Sequence, residues 1–330
     1  MEEVYAALAR VPLFGNVRRE GIKIERLEGG LTNVCYKVTV GNSAYVLRLA
    51  GEGTSGYIDR SSEEHNAMVA AAAGVGAEVV YFDARDGMML TRFVEGASVN
   101  HRGGFGPGAP ARAARTLARV HGLGDVFNSR FDVFAAMARY LELLREQGIR
   151  LPEGYGESRR GARAVRLALE ASPAPLVPCH NDPWPGNLLD AGGSVYLIDW
   201  EYSGMNDAMW DLAGLSVEAG FGPWQDREMM EAYYDQIPSR ALYSRLEVYK
   251  AMGDLHWSLW SFVRHKKDDP ARDLWGYGLE RLARANARMG SAGFGQHLDL
   301  VRGSPSLVSQ PGERSPLSGH IREAYPRSSS

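Results

Sequence analysis

His180, Asp182 and Asn187 fall within eight residues of one another, in the stretch CHNDPWPGNLL that begins at Cys179. Asp199 follows twelve positions after Asn187, inside LIDWEY. Pro183, Pro185 and Gly186 exclude a helix across the first run, whereas the second reads as a short buried strand ending in acid. These residue types at this spacing fit phosphoryl transfer. That reaction needs a carboxylate to orient and deprotonate an attacking hydroxyl, and oxygen ligands for the Mg²⁺ that bridges nucleotide phosphates. Asp182 can supply the first. Asn187 and Asp199 are hard oxygen donors of the kind Mg²⁺ prefers, and a loop running into a hairpin strand can set them side by side. Taken singly, Asn and Asp are ordinary turn residues that satisfy backbone groups; the joint spacing after an apolar strand is what points to chemistry. His180 is expected to hold the loop by hydrogen bonds. No CxxC or HExxH accompanies Cys179 and His180, which argues against zinc.

Two glycine loops precede this corner. No GxxxxGK[ST] is present, so a P-loop is excluded. Gly51, Gly53 and Gly56 match GxGxxG after a strand, but the residues YIDRSS intervene before the next helix and no αβ alternation follows, so a dinucleotide fold is set aside. The other loop, in EGGLTNVCYKV, places Gly30, Thr32 and Asn33 between two strands, where backbone N–H groups could approach phosphates closely; an ordinary hairpin turn has the same composition.

The elements that must position these residues divide the chain in two. Residues 22–95 read as about five antiparallel strands and one helix, joined by turns too short for crossovers. Ser61 or Ser62 is the expected cap of that helix and Gly74 its stop. From Gly96 onward the pattern becomes helical, interrupted by the short apolar strands APLVPCH and SVYLIDW. The expectation is therefore an α+β two-lobed fold: a strand-rich lobe over 1–94, a larger helical lobe over 95–290, and a disordered, Gly/Ser/Pro/Arg-rich tail over 291–330. A cleft between lobes is a common ligand site.

Composition narrows the class further. The chain has 330 residues, long enough for a substantial core, and a formal net charge of -3 that gives no footprint for nucleic acid or a polybasic membrane contact. The two cysteines, Cys35 and Cys179, suit a reducing, cytoplasmic setting. The N-terminus lacks the basic start and apolar run of a signal peptide, and no apolar stretch is long enough to span a membrane.

HNDPWPGN followed by LIDWEY is similar to the HxDxxxxN and ID(W/F)EY motifs of the choline/ethanolamine kinase family, which groups with the aminoglycoside phosphotransferases; the resemblance implies a protein-kinase-like fold, with a nucleotide-binding lobe over 1–94 and the catalytic loop and substrate pocket in the lobe over 95–290. The resemblance extends to about residue 290, with GGLTNVCYKV, YVLRLAGEGT, IDRSSEEHNA and MLTRFVEG in the order expected of bacterial choline kinases. It implies ATP and Mg²⁺ as cofactors and a small amino alcohol, choline first, as acceptor. It implies Asp182 as base, with His180 and Asn187 beside it in the catalytic loop, and Asn187 and Asp199 as metal ligands. Arg48 would contact phosphates while pairing with Glu63, and the Thr91–Val94 segment, including Phe93, would offer backbone groups to adenine. Trp257, Trp260, Tyr277 and Glu218, with Trp275 less closely matched, would line the acceptor pocket; Glu201 and Trp184 join them as acceptor-side candidates. Aromatic faces are what a quaternary ammonium needs, because it has no N–H to donate. On its own, a Trp pair three apart on a helix reads as core packing. The departures from the eukaryotic motifs, Pro183 and Trp184 after the base and NDAMWD at 206–211, both touch the acceptor side. They leave ethanolamine, thiamine or an aminoglycoside open as acceptors, and an inactive choline-binding module as a further alternative.

Overall fold

The computed structural model describes residues 1–27, 33–51, 58–98, 106–265 and 273–304. Strands β1 (Ile22–Leu27), β2 (Val34–Val40), β3 (Ser43–Leu49), β4 (Val79–Asp83) and β5 (Met88–Arg92) form one antiparallel sheet in the order β1-β2-β3-β5-β4. Val40 pairs with Ser43 across the Gly41-Asn42 turn, where Gly41 takes a φ of 56°. That left-handed turn matches the twist of the strands it joins. Period-two alternation carries Val38, Leu47 and Leu90 to one face, where they are fully buried with Val4 and Leu8 of helix α1 (Glu2–Leu8).

Helix α2 (Arg60–Ala72) follows β3 in the chain. Its cap is Asp59, not Ser61 or Ser62: the Asp59 carboxylate accepts from the backbone N–H groups of both serines, at 3.1 and 3.2 Å. A carboxylate two residues before Ser61 reaches two of the orphan donors of the first turn, so the helix starts there. Gly74, at φ 65°, stops it. Leu197 N then donates to Val75 O at 2.8 Å, tying the segment after α2 to the catalytic corner.

The second lobe is built around α8 (Arg240–Arg264), which packs against α4 (Val133–Glu146), α6 (Ala208–Glu218), α9 (Leu274–Met289) and α10 (Phe294–Arg302). From Val248 to Phe262 every residue of α8 is buried, as expected of a helix surrounded on all sides. Helices α3 (Ala109–His121), α5 (Tyr155–Ala171) and α7 (Pro223–Tyr234) complete the helical layer. Two small sheets flank the His180–Asp199 stretch: β6 (Ala97–Ser98), β8 (Leu188–Asp190) and β9 (Val195–Leu197) in one, β7 (Leu176–Cys179) and β10 (Gly204–Asp207) in the other.

Helix α10 corrects the expected disordered tail. Phe294, Leu298 and Val301 are buried against α5 and α8, and Ser172 Oγ donates to Ser304 O at 2.6 Å. Gly-rich flanks hid a nine-residue helix whose apolar positions, four and three apart, form one face. The remainder of the expected tail, 305–330, lies outside the described residues. Among the described residues no helix is long and apolar enough to cross a membrane.

Candidate active site

The catalytic loop leaves β7 at Cys179 and re-enters the sheet at β8, so Asp182 and Asn187 sit between two anchored ends. Asn181 takes a left-handed φ of 66°, a conformation Asn tolerates better than most residues. Four contacts hold it there. Its N–H donates to Asp211 Oδ1 at 2.7 Å, and its Nδ2 donates to Tyr202 O at 2.9 Å. Its Oδ1 accepts from Asn206 Nδ2 at 2.9 Å, and its carbonyl accepts from Trp210 Nε1 at 3.1 Å. Asp211 also accepts from His180 N–H at 2.8 Å and from the His121 ring at 3.0 Å, and His121 in turn meets Tyr233. Strain of this kind persists where the surroundings over-determine it, and such places cluster at active sites.

His180 is fully buried and stacks near Trp200 at 4.7 Å. Its Nε2 lies 2.9 Å from Ile198 O, which can only accept, so Nε2 carries the proton and Nδ1 accepts from Asp182 N–H at 3.3 Å. Burial lowers its pKa and keeps it neutral. His180 therefore ties the loop to the β9 side and has no open path to a substrate.

Asp182 is half-buried. Burial raises its carboxyl well above the usual range, and the nearby charges of Glu218, Asp199 and Glu201 push the same way. Asn187 Nδ2 donates to Asp182 O at 3.0 Å and lies 3.4 Å from its Oδ2. Leu188 pairs with Leu197, and Ile198 N donates to Asn187 O at 3.0 Å, so the ladder brings the Asn187 and Asp199 backbones together. Asp199 also has a left-handed φ, 64°.

A buried charge network joins this corner to the first lobe. Arg48 pairs with Glu63, reaches Asp199 Oδ1 at 3.0 Å and donates to Gly87 O at 3.1 Å. Burial works against its charge, but Glu63 and Asp199 outweigh that and hold the guanidinium protonated. Arg60 bonds Glu63 at 2.6 Å and Glu201 at 3.3 Å, and Asn33 Nδ2 donates to Glu201 at 3.1 Å and Asp199 at 3.3 Å. Carboxylate oxygens of Glu63, Asp199 and Glu201 lie within 4.8 Å of one another. Burial and the neighbouring Asp199 push Glu201 up to about 7.

A small pocket opens beside Asp182, with Glu218 as its other acid and Trp210, Trp257, Pro183, Val217 and Gly214 in its wall. Trp257 meets Trp260 edge-to-face at 5.8 Å and Tyr202 at 5.6 Å, and Trp260 Nε1 donates to Tyr202 OH at 3.1 Å. A model of the phosphotransferase enzyme family matches residues 23–249, most of the chain. The chain belongs to that family. Protein LicA of Haemophilus influenzae is 27% identical to this phosphotransferase over 261 residues, 77% of this chain and 76% of that protein. Ethanolamine kinase 1 of Mus musculus is 22% identical over 308 residues, 79% of this chain and 82% of that one. Among solved structures, a choline/ethanolamine kinase family protein from Mesorhizobium loti superposes with a TM-score of 0.80 at 41% identity, covering 91% of this chain and 98% of its own. Choline kinase LicA from Streptococcus pneumoniae superposes with a TM-score of 0.70 at 27% identity, covering 81% and 93%. This phosphotransferase is thus a choline/ethanolamine kinase-like enzyme with an alcohol group as acceptor.

The fold gathers most of the residues expected for this kinase, and places several differently. Trp184 is not in the pocket wall; its ring covers Gly186, where an added Cβ would lie 2.1 Å from Cζ2. Pro183, expected with Trp184 on the acceptor side, does line the pocket, against Gly214. Trp275 packs on Phe262 at 4.7 Å and His265 at 5.4 Å, away from the pocket wall. Glu201 belongs with Arg60 and Asn33 in the charge network, not with the acceptor residues. Tyr277 hydroxyl and Glu218 share the Arg281 guanidinium. In the hinge, Arg92 N–H and Phe93 N–H already donate to Glu78 O and Ala44 O, Thr91 pairs with Val46 and Val79, and the Phe93 ring lies 3.8 Å from Lys37 Nζ. Gly30 and Thr32 lie outside the described residues, as do positions 52–57 of the GxGxxG match. Sequence reasoning missed Arg281, Asp211, Asn181 and Tyr202. Only Arg281 had a local signal, an Arg four residues after Tyr277 on the same helix face.

Proposed function

We propose that this phosphotransferase moves the γ-phosphate of ATP to the hydroxyl of choline, giving phosphocholine and ADP. The observation that carries this is the pairing of Asp182 with an aromatic wall in one pocket: Trp257 and Trp210 stand beside the base, and Trp260 and Tyr202 support Trp257. A quaternary ammonium is attracted to such faces, each contact giving on the order of 0.5–2 kcal/mol. Glu218 adds a carboxylate at the same place.

Asp182 accepts the hydroxyl proton as the choline oxygen bonds to the γ-phosphorus and the bond to the β-phosphate oxygen breaks. Asn187 fixes Asp182 through its Nδ2, which leaves its carbonyl oxygen to face a cation. That oxygen and the Asp199 carboxylate are the hard donors Mg²⁺ takes, so the residues fit the ion. Mg²⁺ bound there supplies positive charge to the nucleotide phosphates. Arg48 Nε finds no hydrogen-bond partner among the described residues and is suited to a phosphate oxygen. Arg48 itself is fixed by Glu63 and Gly87 O, so it holds its place without the nucleotide.

An acceptor panel tests the reading. ATP turnover is measured with choline, ethanolamine and thiamine in the presence of Mg²⁺, and choline is expected to give the highest kcat/KM. Absence of phosphocholine at millimolar choline overturns it.

A further inference from the structure

Among the described residues, Glu218 is the one carboxylate besides Asp182 in the wall of the acceptor pocket, and it does not face the pocket alone. Arg281 Nη2 lies 2.5 Å from each of its oxygens and 2.5 Å from the Tyr277 hydroxyl. The guanidinium is itself pinned from behind, since Nη1 reaches Asp254 Oδ1 at 3.2 Å. Asp254 is fully buried and also pairs with Arg284 and Arg288. Arg281 is only 4% exposed, so it has no solvent into which to swing.

This arrangement has a chemical consequence for the acceptor. A primary ammonium carries three N–H donors, and once desolvated each needs an acceptor or leaves a costly orphan. A trimethylated ammonium carries none and asks only for aromatic faces and some negative potential. Arg281 takes one acceptor direction on each Glu218 oxygen and balances its charge, so the pocket offers aromatic wall in plenty and a weakened acceptor, because Asp182 is needed for the hydroxyl. We propose that Arg281 is a specificity-determining residue: acting through Glu218, it makes the pocket favour a methylated ammonium over a primary one. The proposal rests on the amino-alcohol kinase reading above.

The test compares wild type with Arg281→Met and Arg281→Lys, measuring kcat and KM for choline and for ethanolamine and the thermal midpoint of each full-length protein. Met frees both Glu218 oxygens. Lys keeps a cation but cannot span Glu218 and Asp254 together as the fork does. Wild type is expected to favour choline. In Arg281→Met the ethanolamine-to-choline ratio of kcat/KM should rise roughly tenfold or more, about what one regained charge-assisted hydrogen bond gives. The change should sit in the KM for ethanolamine, with kcat for choline within a few-fold of wild type. Arg281→Lys should move the ratio in the same direction by less, and it carries the test if the Met variant does not fold. A purely structural role would lower both activities together and leave the ratio unmoved, which would overturn the proposal, as would a wild type that favours ethanolamine. Wild type inactive on both amino alcohols would instead sink the functional reading.

Discussion

Asp182 sits where burial and four surrounding carboxylates, Glu218, Asp199, Glu201 and Asp211, all oppose its charge, and a base must be charged to accept a proton. Its folded pKa is raised, so the ionised form is lost as pH falls through a value above the ordinary carboxylate range. The acid limb of kcat/KM is therefore expected above that range. Bound choline brings a positive charge into the pocket and favours the carboxylate, so the limb in kcat should lie at lower pH than the limb in kcat/KM; coincident limbs at ordinary carboxylate pH would contradict this. Asp182→Asn should reduce kcat by about 10²–10⁴-fold, while its thermal midpoint at pH 8 is no lower than wild type, because the amide removes a charge that burial penalises. Trp257→Ala, which removes the ring lining the pocket, is expected to raise the KM for choline by about 3–30-fold and that for ethanolamine by less; equal losses would mean that the ring serves packing alone. Asp182, Asn187 and Asp199 were legible in the sequence because they lie within twenty residues and share one loop and one hairpin. Asn181 and Asp211 were not, because what holds them is contact across the chain: Asp211 accepts from His180 and Asn181 thirty or so positions away. Glu201 was read with the wrong partners for the same reason, its ligands Asn33 and Arg60 coming from the other lobe.

At the scale of elements, periodicity carried the long helices and the five-stranded sheet, since each buries one face at a regular spacing. Three short strands escaped it. β6, β8 and β10 have two to four residues, too few for a pattern, and exist only because a partner strand lies alongside. Helix α10 escaped for a different reason, its nine residues sitting among Gly and Ser that read as tail. Its burial makes a sharp prediction. Truncation after 290 strips Phe294, Leu298 and Val301 from α5 and α8, at roughly 1.5–3 kcal/mol for each side chain. Such a protein should lose several degrees of thermal midpoint, or fail to fold, relative to one truncated after 304, which keeps α10. Equal midpoints for the two truncations would show that α10 contributes nothing to the fold.

For the whole molecule, the junction of the lobes is electrostatic: Glu63, Asp199 and Glu201 face Arg48 and Arg60, so two buried carboxylates and the half-buried Asp199 meet two cations. The excess negative charge makes the ligand-free protein sensitive to pH. Glu201 rises from an ordinary 4.5 to about 7 on folding. A raised carboxyl binds its proton more tightly in the folded state, so its stabilising contribution is complete below about 4.5 and is lost as pH climbs through about 7. His180 and His256 run the other way, since burial lowers both, and their contribution is lost as pH falls below the ordinary histidine value. The bare protein's pH profile is therefore a sum of opposed trends, and the Glu201 part is isolated by comparison with Glu201→Gln. Gln keeps an acceptor for Asn33 and Arg60 but has no charge to desolvate. Measured by denaturant unfolding without ligands, the stability of Glu201→Gln relative to wild type should rise between pH 5 and pH 8, by on the order of 3 kcal/mol at most from a shift of this size. Saturating Mg²⁺ and ATP should shrink that difference, because a cation at Asp199 compensates the charge Glu201 otherwise meets. A difference that is flat across pH 5–8 would mean that Glu201 is already neutralised by Arg60, and that the junction is no more acidic than its ion pairs can satisfy.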